Sequence, residues 1–408
     1  MNVMFFVEPA LLGLNQQALL SHLRWPTALE PAIRAAGFDL VIVGTDVVCD
    51  TWEQLMSVRG HSPQTWRLSQ LDVLAEYDYS FSRYLDCQML PDPGAVVLER
   101  ALSACRLAYD PVLVFHSSQN GSLRKIFDGC RVVGMEQGFL PRFGHRERMG
   151  FDPLGHQAGS VFEVARDRIL NLRLAPAPLE QYVAMLRSLE AFYSTSERQQ
   201  AAIAEMLHLA DGHKIALLAL QLPVSPTGSG PHDSTDPASI LSWAQDLPDG
   251  WVGIPTYHFG FQFSEAVEAA LASHPKLRLM SRANVVDMTE TLLTRADGLV
   301  TFWSTTAMTA LLFGKRQVSL GHGPLRTWGP LDVGMIAQSS PLTLEERAST
   351  LAFLTHRYSW PLSLISENAP MADLLNGFRE QGVDWLFEGF PSDVTSARLR
   401  FSELPEPA

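Results

Sequence analysis

Short apolar runs alternate with longer helical patterns along nearly the whole of the 408-residue chain. Short β-rich runs are typical of buried strands, and the longer periodic stretches are typical of helices. Strands that alternate with helices form parallel sheets, which helices cover on both faces. The predicted strands are Met4–Val7, Leu40–Val43, Val112–Phe115, Val132–Met135, Ile215–Leu220, Trp251–Ile254, Leu277–Met280, Gly298–Phe302 and Gln317–Leu320.

Helical patterns fill the intervals between these runs and set the predicted domain boundaries. A long helical region, roughly Leu179–Leu209, separates the first group of strands from the second. We therefore predict an α/β protein with two Rossmann-like domains that face each other across a cleft. The predicted helices include Pro26–Ala36, Ala95–Tyr109, Phe263–Ser273 and Thr305–Phe313. The predicted segments are a first domain over residues 1–180, a helical linker over 181–210, a second domain over 211–340 and a helical C-terminal tail over 341–408.

The charge balance counts against two classes of function. Lysine and arginine number 31 against 44 aspartate and glutamate residues, so the formal net charge is 31 − 44 = −13. A chain this acidic does not favour a nucleic-acid groove or a polybasic membrane patch. Apolar residues make up 46% of the chain and charged residues 18%, which is the mixture of a folded protein and not of a disordered one.

The four cysteines, at positions 49, 87, 105 and 130, point to a reduced compartment. They form no C-x-x-C pair and have no histidine at ligand spacing, so we predict neither a zinc site nor a disulfide framework. No apolar run approaches the roughly 18 residues of a membrane span. The N-terminal segment lacks a cationic start and Glu8 interrupts its apolar stretch, so it is predicted to be a strand and not a signal peptide. We expect a cytoplasmic protein.

Glu136 directly follows the predicted strand Val132–Met135. Open α/β sheets bind their ligands beyond the carboxyl ends of their strands, so this position suits a catalytic acid. A solvated carboxylate that opens a loop is the commoner arrangement and remains the alternative.

The segment after Ile215–Leu220 is the most loop-like in the chain. Gln221 follows the strand, and Asp233 and Asp236 lie further along. Asp236 precedes Pro237, a pair typical of a helix start, so its carboxylate has a structural use as an N-cap. Asp233 has no comparable structural use. The segment is either a mobile active-site loop or a tolerated surface excursion.

Two further segments offer groups that bind phosphate. His258 lies just beyond Trp251–Ile254, where an imidazole can donate to a phosphate, although a lone histidine is more often structural. The Ser304–Thr306 turn follows Gly298–Phe302 and opens a helix, so its hydroxyls and free N–H groups suit an anion. Ordinary helix capping by Ser304 is the alternative, and it is compatible with phosphate binding. The chain has no G-x-G-x-x-G and no G-x-x-x-x-G-K-[ST] motif.

Taken in chain order, these segments resemble the bacterial β-Kdo transferases of capsule and lipopolysaccharide assembly, which transfer 3-deoxy-manno-octulosonic acid (Kdo) from CMP-Kdo. The resemblance covers roughly residues 130–330, and the order and spacing of the motifs carry it more than any single motif. The matching segments are EQGFLPRFG at Glu136–Gly144, FDPLGHQAGSVFE at Phe151–Glu163, LQLP at Leu220–Pro223, PTYH at Pro255–His258, and STTAMTALLFGKRQVSLGHGPLRTWG at Ser304–Gly329.

The chain departs from that family at three points. The lysine and the second proline of the family's K-P-H-P motif are absent around His258, and Met308 and Thr309 replace the F-E of a later motif. The loop that carries the acids is longer than in the family. That length leaves Asp233 and Asp236 as alternatives for one role.

The resemblance implies a GT-B-type glycosyltransferase, with the acceptor-side domain first and the nucleotide-sugar domain second. It implies retention of configuration, which by two inversions requires a carboxylate nucleophile, Asp233 or Asp236, and a second group that manages protons, Glu136. CMP is a monophosphate leaving group, so no metal ion or other cofactor is expected. The donor is expected to contact Gln221, His258, Ser304, Thr305, Thr306 and Lys315, and the acceptor or the Kdo carboxylate is expected to contact Arg142 and Asp152.

The expected partners are a CMP-sugar donor and a glycan or lipid-linked oligosaccharide acceptor. A peripheral association with the cytoplasmic face of the inner membrane or with other glycosyltransferases stays open. One alternative is a GT-B enzyme with another donor, such as CMP-sialic acid or a nucleoside diphosphate sugar, although a diphosphate predicts a second basic or glycine-rich contact that the sequence lacks. The other alternative is a non-catalytic two-domain protein that binds a sugar or a nucleotide.

Overall fold

A computed structural model provides the structure of the chain, and its described residues form two compact units. Within these residues, no helix combines the length and the apolar character that crossing a membrane requires. The described residues are 1–7, 16–69, 95–116, 121–127, 131–137, 139–140, 148–155, 159–220, 237–256, 263–302, 304–321 and 323–389.

Strands and helices alternate through both units. In chain order, the strands are β1 (Asn2–Phe6), β2 (Asp39–Thr45), β3 (Gln64–Leu68), β4 (Leu113–His116), β5 (Arg131–Gln137), β6 (Arg148–Asp152), β7 (Lys214–Ala219), β8 (Trp251–Thr256), β9 (Gly298–Thr301), β10 (Arg316–Ser319) and β11 (Ser359–Pro361). The helices are α1 (Gln16–Ala35), α2 (Asp46–Val58), α3 (Ala95–Tyr109), α4 (Gly121–Ile126), α5 (Val161–Val164), α6 (Arg166–Leu170), α7 (Pro176–Phe192), α8 (Glu197–Ala210), α9 (Pro237–Asp246), α10 (Glu265–Ala272), α11 (Arg282–Val285), α12 (Thr289–Leu293), α13 (Thr306–Leu312), α14 (Leu344–Phe353), α15 (Leu362–Ile365) and α16 (Asn368–Gln381). Three 3-10 helices and one π-helical turn complete the set: Arg326–Trp328, Val333–Gln338, Gly382–Phe387 and the π turn Leu354–Tyr358.

The first unit contains residues 1–137, 148–155 and 357–388 within the described ranges. Its sheet has seven strands in the order β11-β6-β5-β4-β1-β2-β3. The five strands from β3 to β5 are parallel and follow the Rossmann order 3-2-1-4-5. The strands β6 and β11 extend the sheet in antiparallel pairing.

The second unit contains residues 139–140, 159–356 and 389 within the described ranges. Its four strands are parallel and lie in the order β10-β9-β7-β8. This is the 2-1-3-4 arrangement of a flavodoxin-like sheet, in which the strand order reverses between the first and third strands. The predicted α/β class with two Rossmann-like units is therefore confirmed.

Helix periodicity explains how each sheet is covered. In the first unit, Leu98, Leu102 and Cys105 repeat at helical spacing along α3 and pack with strand residues such as Met4 and Val114. In the second unit, α9 buries a stripe of the same kind against Leu218 and Val300: Ile240, Trp243 and Ala244, followed by Leu247 just beyond the helix. Burial of these apolar side chains provides the main driving force for folding of each unit.

The structure divides the chain differently from the predicted segments. The helices α7 and α8, predicted to be a linker, belong to the second unit, and the predicted C-terminal tail is split at residue 357. Residues 357–388 return to the first unit, where β11 pairs with β6. The three-residue strand Ser359–Pro361 carries too little periodic pattern to be distinguished from the helices around it.

Besides β11, three strand assignments differ from the prediction. Leu277–Met280 is not a strand, because only one isolated bridge, between Gly253 and Leu277, joins it to β8. The strands β3 and β6 were not predicted. Four of the five residues of β3, QTWRL, are half-buried or exposed. In β6, RMGFD, glycine separates the two apolar residues and a charged residue stands at each end.

Candidate active site

In the second unit, the Ser304–Thr306 turn lies at the edge where ligands bind in sheets of this order. It follows β9, one of the two strands between which the strand order reverses. The crevice outside the carboxyl ends of the strands at such a reversal is the usual ligand site. The helix that the turn opens, α13, has only seven residues. The hydroxyls would therefore contribute more to anion binding than the helix dipole does.

Hydrogen bonds within the turn fix the hydroxyl positions. The Ser304 hydroxyl accepts the Thr306 N–H at 3.2 Å and lies 2.9 Å from the Thr306 hydroxyl. The Ser304 N–H donates to the Thr301 hydroxyl at 3.1 Å. Ser304 therefore caps the start of α13, as its alternative role predicted, while Ser304 and Thr305 stay half-buried and reachable.

Lys315 lies at the opposite end of β9 from this turn. It precedes β10, whose first residue Arg316 pairs with Gly298, the first residue of β9. Its Nζ donates to the Thr294 carbonyl at 3.1 Å, and burial lowers the pKa of its ammonium. The structure therefore does not bring Lys315 to the Ser304–Thr306 turn, and the amine has a contact of its own.

In the first unit, Glu136 lies inside β5 instead of opening a loop. It is the last residue but one of the strand, pairs with Gly150 on β6, and is half-buried. It stands at the carboxyl edge of the parallel strands, where the sequence predicted a catalytic acid.

Buried polar side chains lie on the same face of this sheet as Glu136. His116 pairs with Gly134, and Gly134 pairs with Asp152, so the histidine and the aspartate flank a glycine in one row. Directly paired residues point to one face of a sheet, and residues two apart on one strand share that face. His116 and Asp152 are both buried.

Asp152 is held by backbone donors and by a cation. Its Oδ1 accepts the N–H groups of Leu154 at 2.8 Å and Gly155 at 3.0 Å. The guanidinium of Arg124, from α4, donates to the Pro153 carbonyl and lies close enough for its charge to interact with Asp152. Burial lowers the pKa of Arg124, and the Asp152 carboxylate counteracts that effect. Asp152 therefore has the positive charge of Arg124 near it, and its turn contacts give it a structural role.

Tyr358 belongs with Glu136, His116 and Asp152 to one cluster of polar residues, although the sequence did not predict it. It is fully buried and ends the π-helical turn before β11. Burial raises the pKa of its phenol well above the ordinary value, and the nearby Asp152 and Glu136 carboxylates raise it further. No sequence pattern links Tyr358 to Glu136, because they are far apart along the chain. They come together only because β6 pairs with β5 on one side and with β11 on the other.

Five of the predicted site residues lie outside the described residues: Arg142, Gln221, Asp233, Asp236 and His258. The helix α9 begins at Pro237, as the Asp236-Pro237 pair predicted. Over the ranges that the structure describes, no three histidine, cysteine, aspartate or glutamate side chains lie close enough to hold a metal ion.

No protein-family model matches the chain, and no curated protein matches its sequence. Solved structures with a similar arrangement include KpsC of Thermosulfurimonas dismutans, described as a beta Kdo 2,7 transferase, at 15% identity over 68% of this chain and 89% of that chain, with a TM-score of 0.44. A second KpsC structure of the same organism, described as a beta Kdo 2,4 transferase, is 16% identical over 59% and 79%, with a TM-score of 0.39. The calicheamicin glycosyltransferase CalG4 is 12% identical over 96% and 99%, with a TM-score of 0.33. The likeness is a general one, and the fold assignment rests on the strand orders given above.

The two groups of residues suit different parts of a group-transfer reaction. The Ser304–Thr306 turn offers hydroxyl donors to an anion, and its three residues are all uncharged. Glu136 offers a half-buried carboxylate on the same sheet face as Asp152, at the edge where such sheets bind ligands.

Proposed function

We propose that this protein is a GT-B-type glycosyltransferase that transfers Kdo from CMP-β-Kdo to a glycan or glycolipid acceptor in surface polysaccharide assembly. One observation carries the proposal. Two motif segments of the resemblance, which begin at Glu136 and at Ser304, each start at the carboxyl edge of a separate Rossmann-type sheet. Such edges are where open α/β sheets bind ligands, so each sheet offers a place for one of the two substrates of a transferase.

The proposed reaction proceeds through two displacements at the anomeric carbon of Kdo. A carboxylate, Asp233 or Asp236, attacks this carbon, and the bond to the CMP phosphate oxygen breaks with its electron pair leaving on CMP. The acceptor hydroxyl then attacks the same carbon, the bond to the carboxylate breaks, and Glu136 takes the hydroxyl proton. Two inversions give net retention.

The remaining assignments follow the chemistry of each group. Ser304, Thr305 and Thr306 donate hydrogen bonds to the departing phosphate, with His258 and Gln221 as further contacts to CMP. Arg142 is proposed to balance the Kdo carboxylate. Since CMP carries one phosphate, the proposed mechanism uses no metal ion and no cofactor.

A donor panel tests this proposal. Purified protein is incubated with CMP-Kdo, CMP-sialic acid and UDP- or GDP-linked sugars, and released nucleotide is measured with and without glycan acceptors. We expect CMP release from CMP-Kdo alone, and we expect Glu136→Gln to reduce acceptor-dependent turnover by at least about a hundredfold. The exposed Glu180 gives a matched control, because Glu180→Gln makes the same chemical change away from the cluster. Release from a diphosphate sugar instead, or binding without turnover, would favour one of the two alternative functions.

A further inference from the structure

The guanidinium of Arg166, the first residue of α6, lies over the ring of Trp328 in the second unit. Its central carbon is 5.8 Å from the ring centre, within the range of a cation–π contact. The indole is itself fixed, because Trp328 is buried and its Nε1 donates to the Phe162 carbonyl at 2.7 Å. The Phe162 ring also packs edge-on against the indole, with the ring centres 6.4 Å apart. The aromatic pair therefore gives the cation a fixed surface.

Stacking, and not hydrogen bonding, holds Arg166 in this place. Its Nε is buried and has no acceptor among the residues that the structure describes. The guanidinium is 3.8 Å from the neighbouring Asp167, which is longer than a hydrogen bond, and the Asp167 side chain is 89% exposed, so solvent weakens this ion pair. By contrast, the half-buried Arg278 and Arg347 of the same unit donate through Nε to backbone carbonyls. The Arg166 side chain is 37% exposed, which leaves its charge open to an anionic ligand.

This stacked arginine lies at the edge of the sheet where the Ser304–Thr306 turn lies. The carbonyl of Pro330, two residues after Trp328, accepts the N–H of Ser319, the last residue of β10. Two residues of chain reach at most about 7 Å, so Trp328 stays near β10. Because β10 pairs with β9 and the turn follows β9, Arg166 and the turn lie beside neighbouring strands.

The direction of the chain places Trp328 on the carboxyl side of the sheet. After Pro330 the chain continues to the 3-10 helix Val333–Gln338. Cδ1 of Ile336 in this helix would lie 2.9 Å from a Cβ atom on Gly298, the first residue of β9. The chain therefore runs along β10 from the carboxyl edge towards the amino edge, and Trp328 comes at the start of that path.

We propose that Arg166 binds the carboxylate of the donor sugar, an inference that rests on the proposed function. The paired N–H groups of a guanidinium match the two oxygens of a carboxylate, and stacking on an aromatic ring fixes their plane. A CMP-linked ulosonic acid presents two anionic groups, a phosphate and a carboxylate, on the same anomeric carbon. The uncharged Ser304–Thr306 turn suits the phosphate, which leaves the cation for the carboxylate, together with Arg142. Arg166 would then favour acidic donor sugars over neutral ones.

The test compares Arg166→Gln with the wild type in two measurements, kcat/KM for CMP release from CMP-Kdo and the Kd of CMP alone by calorimetry. We expect kcat/KM to fall at least about tenfold, because charged hydrogen bonds to the sugar are lost. The Kd of CMP should stay the same, because CMP has no carboxylate. Arg166→Lys keeps the charge without the planar fork, so it should show a smaller loss. The exposed Arg173 supplies the matched control, and Arg173→Gln should leave both quantities unchanged.

The possible results separate this inference from the proposed function. An unchanged kcat/KM in folded Arg166→Gln, or an equal loss in Arg173→Gln, overturns the inference while the proposed function stands. A parallel loss of CMP affinity also overturns it, because Arg166 would then contact the nucleotide. If Arg166→Gln does not fold, Arg166→Lys decides: the inference requires a lower kcat/KM with unchanged CMP affinity, and any other result overturns it. If the wild type releases no CMP from CMP-Kdo, the proposed function fails and this inference fails with it.

Discussion

Tyr358 lies across Gly150 so closely that a Cβ atom on the glycine would sit 2.8 Å from Cε1 of the ring. The contact joins β6 to the turn that leads into β11, two segments that are distant along the chain. Through this contact, the Leu354–Tyr358 turn packs against the strand pair β5–β6, which contains Glu136 and Gly150.

The first prediction follows from that contact. Gly150→Ala forces the fully buried ring to move, and overpacking of this kind costs about 1 to 3 kcal/mol of unfolding free energy. Urea unfolding measures the loss. Gly334→Ala is the control, because its nearest neighbouring atom would lie 3.3 Å away, and it should cost clearly less. Equal stability of Gly150→Ala and the wild type would show that the ring does not occupy this space.

The second prediction concerns the CMP phosphate. Thr305→Ala removes a proposed phosphate donor, so it should weaken CMP binding by about 1 kcal/mol, roughly fivefold in Kd. The Thr305 hydroxyl makes no capping hydrogen bond, so the variant should keep the stability of the wild type. Ser304→Ala should weaken binding similarly and also cost about 1 kcal/mol of stability, because its hydroxyl accepts the Thr306 N–H.

Calorimetry with CMP and thermal unfolding separate these two effects. Thr343→Ala serves as the control, since it removes a comparable cap from α14 and should leave CMP affinity unchanged. Wild-type CMP affinity in both Thr305→Ala and Ser304→Ala would remove the turn from the donor site.

The third prediction is a pH dependence of stability. The pKa of Tyr358 lies well above its ordinary value of 10 in the folded protein, so between these two values the unfolded chain loses a proton that the folded chain keeps. The stabilisation from this group is complete below pH 10 and is lost as the pH rises above it. The unfolding free energy of the wild type should therefore fall more steeply above pH 10 than that of Tyr358→Phe. Parallel curves for the two proteins would contradict the burial of a neutral phenol.

The fourth prediction concerns metal ions. Because CMP is a monophosphate leaving group and the proposed mechanism relies on hydroxyls and an imidazole, EDTA should leave transfer from CMP-Kdo intact. The measurement is the initial rate of CMP release before and after chelation. Loss of transfer that Mg²⁺ or Mn²⁺ restores would overturn the metal-free mechanism.

Sequence periodicity predicted the eight buried parallel strands, but it predicted neither β3, β6 and β11 nor the contacts around Glu136. The helix Ala95–Tyr109 begins and ends where its pattern predicted, and the buried parallel strands agree to within two residues, because a buried strand and an amphipathic helix each leave a local pattern. The hydrogen bond between Arg148 and Ser359, which are 211 positions apart, is a contact that such local patterns cannot predict. Their pairing joins β6 and β11, two short strands without alternation, and that pairing alone brings Tyr358 to Asp152.

The same distinction applies to the candidate site residues. Glu136 lies near the end of a predicted strand and the Ser304–Thr306 turn follows another, so their position at the sheet edges could be predicted as well. Lys315 sits one residue before β10, and a motif match alone does not tell which end of a sheet a residue occupies. Arg124 and His116 have no motif of their own, and only the strand register reveals that His116 shares a row with Asp152.

The central claim is that this protein takes Kdo from CMP-Kdo onto one of its own carboxylates before it passes the sugar to an acceptor. The most direct measurement is the intact mass of the protein after brief incubation with CMP-Kdo and no acceptor, followed by peptide mapping. We predict a Kdo-sized adduct on Asp233, because Asp236 precedes α9 and has a capping role open to it. Asp233→Asn should abolish the adduct and transfer while CMP still binds, and Asp236→Asn should retain both. An adduct on Asp236 would reverse the order of the two acids, and an adduct on neither, with both variants active, would contradict the mechanism.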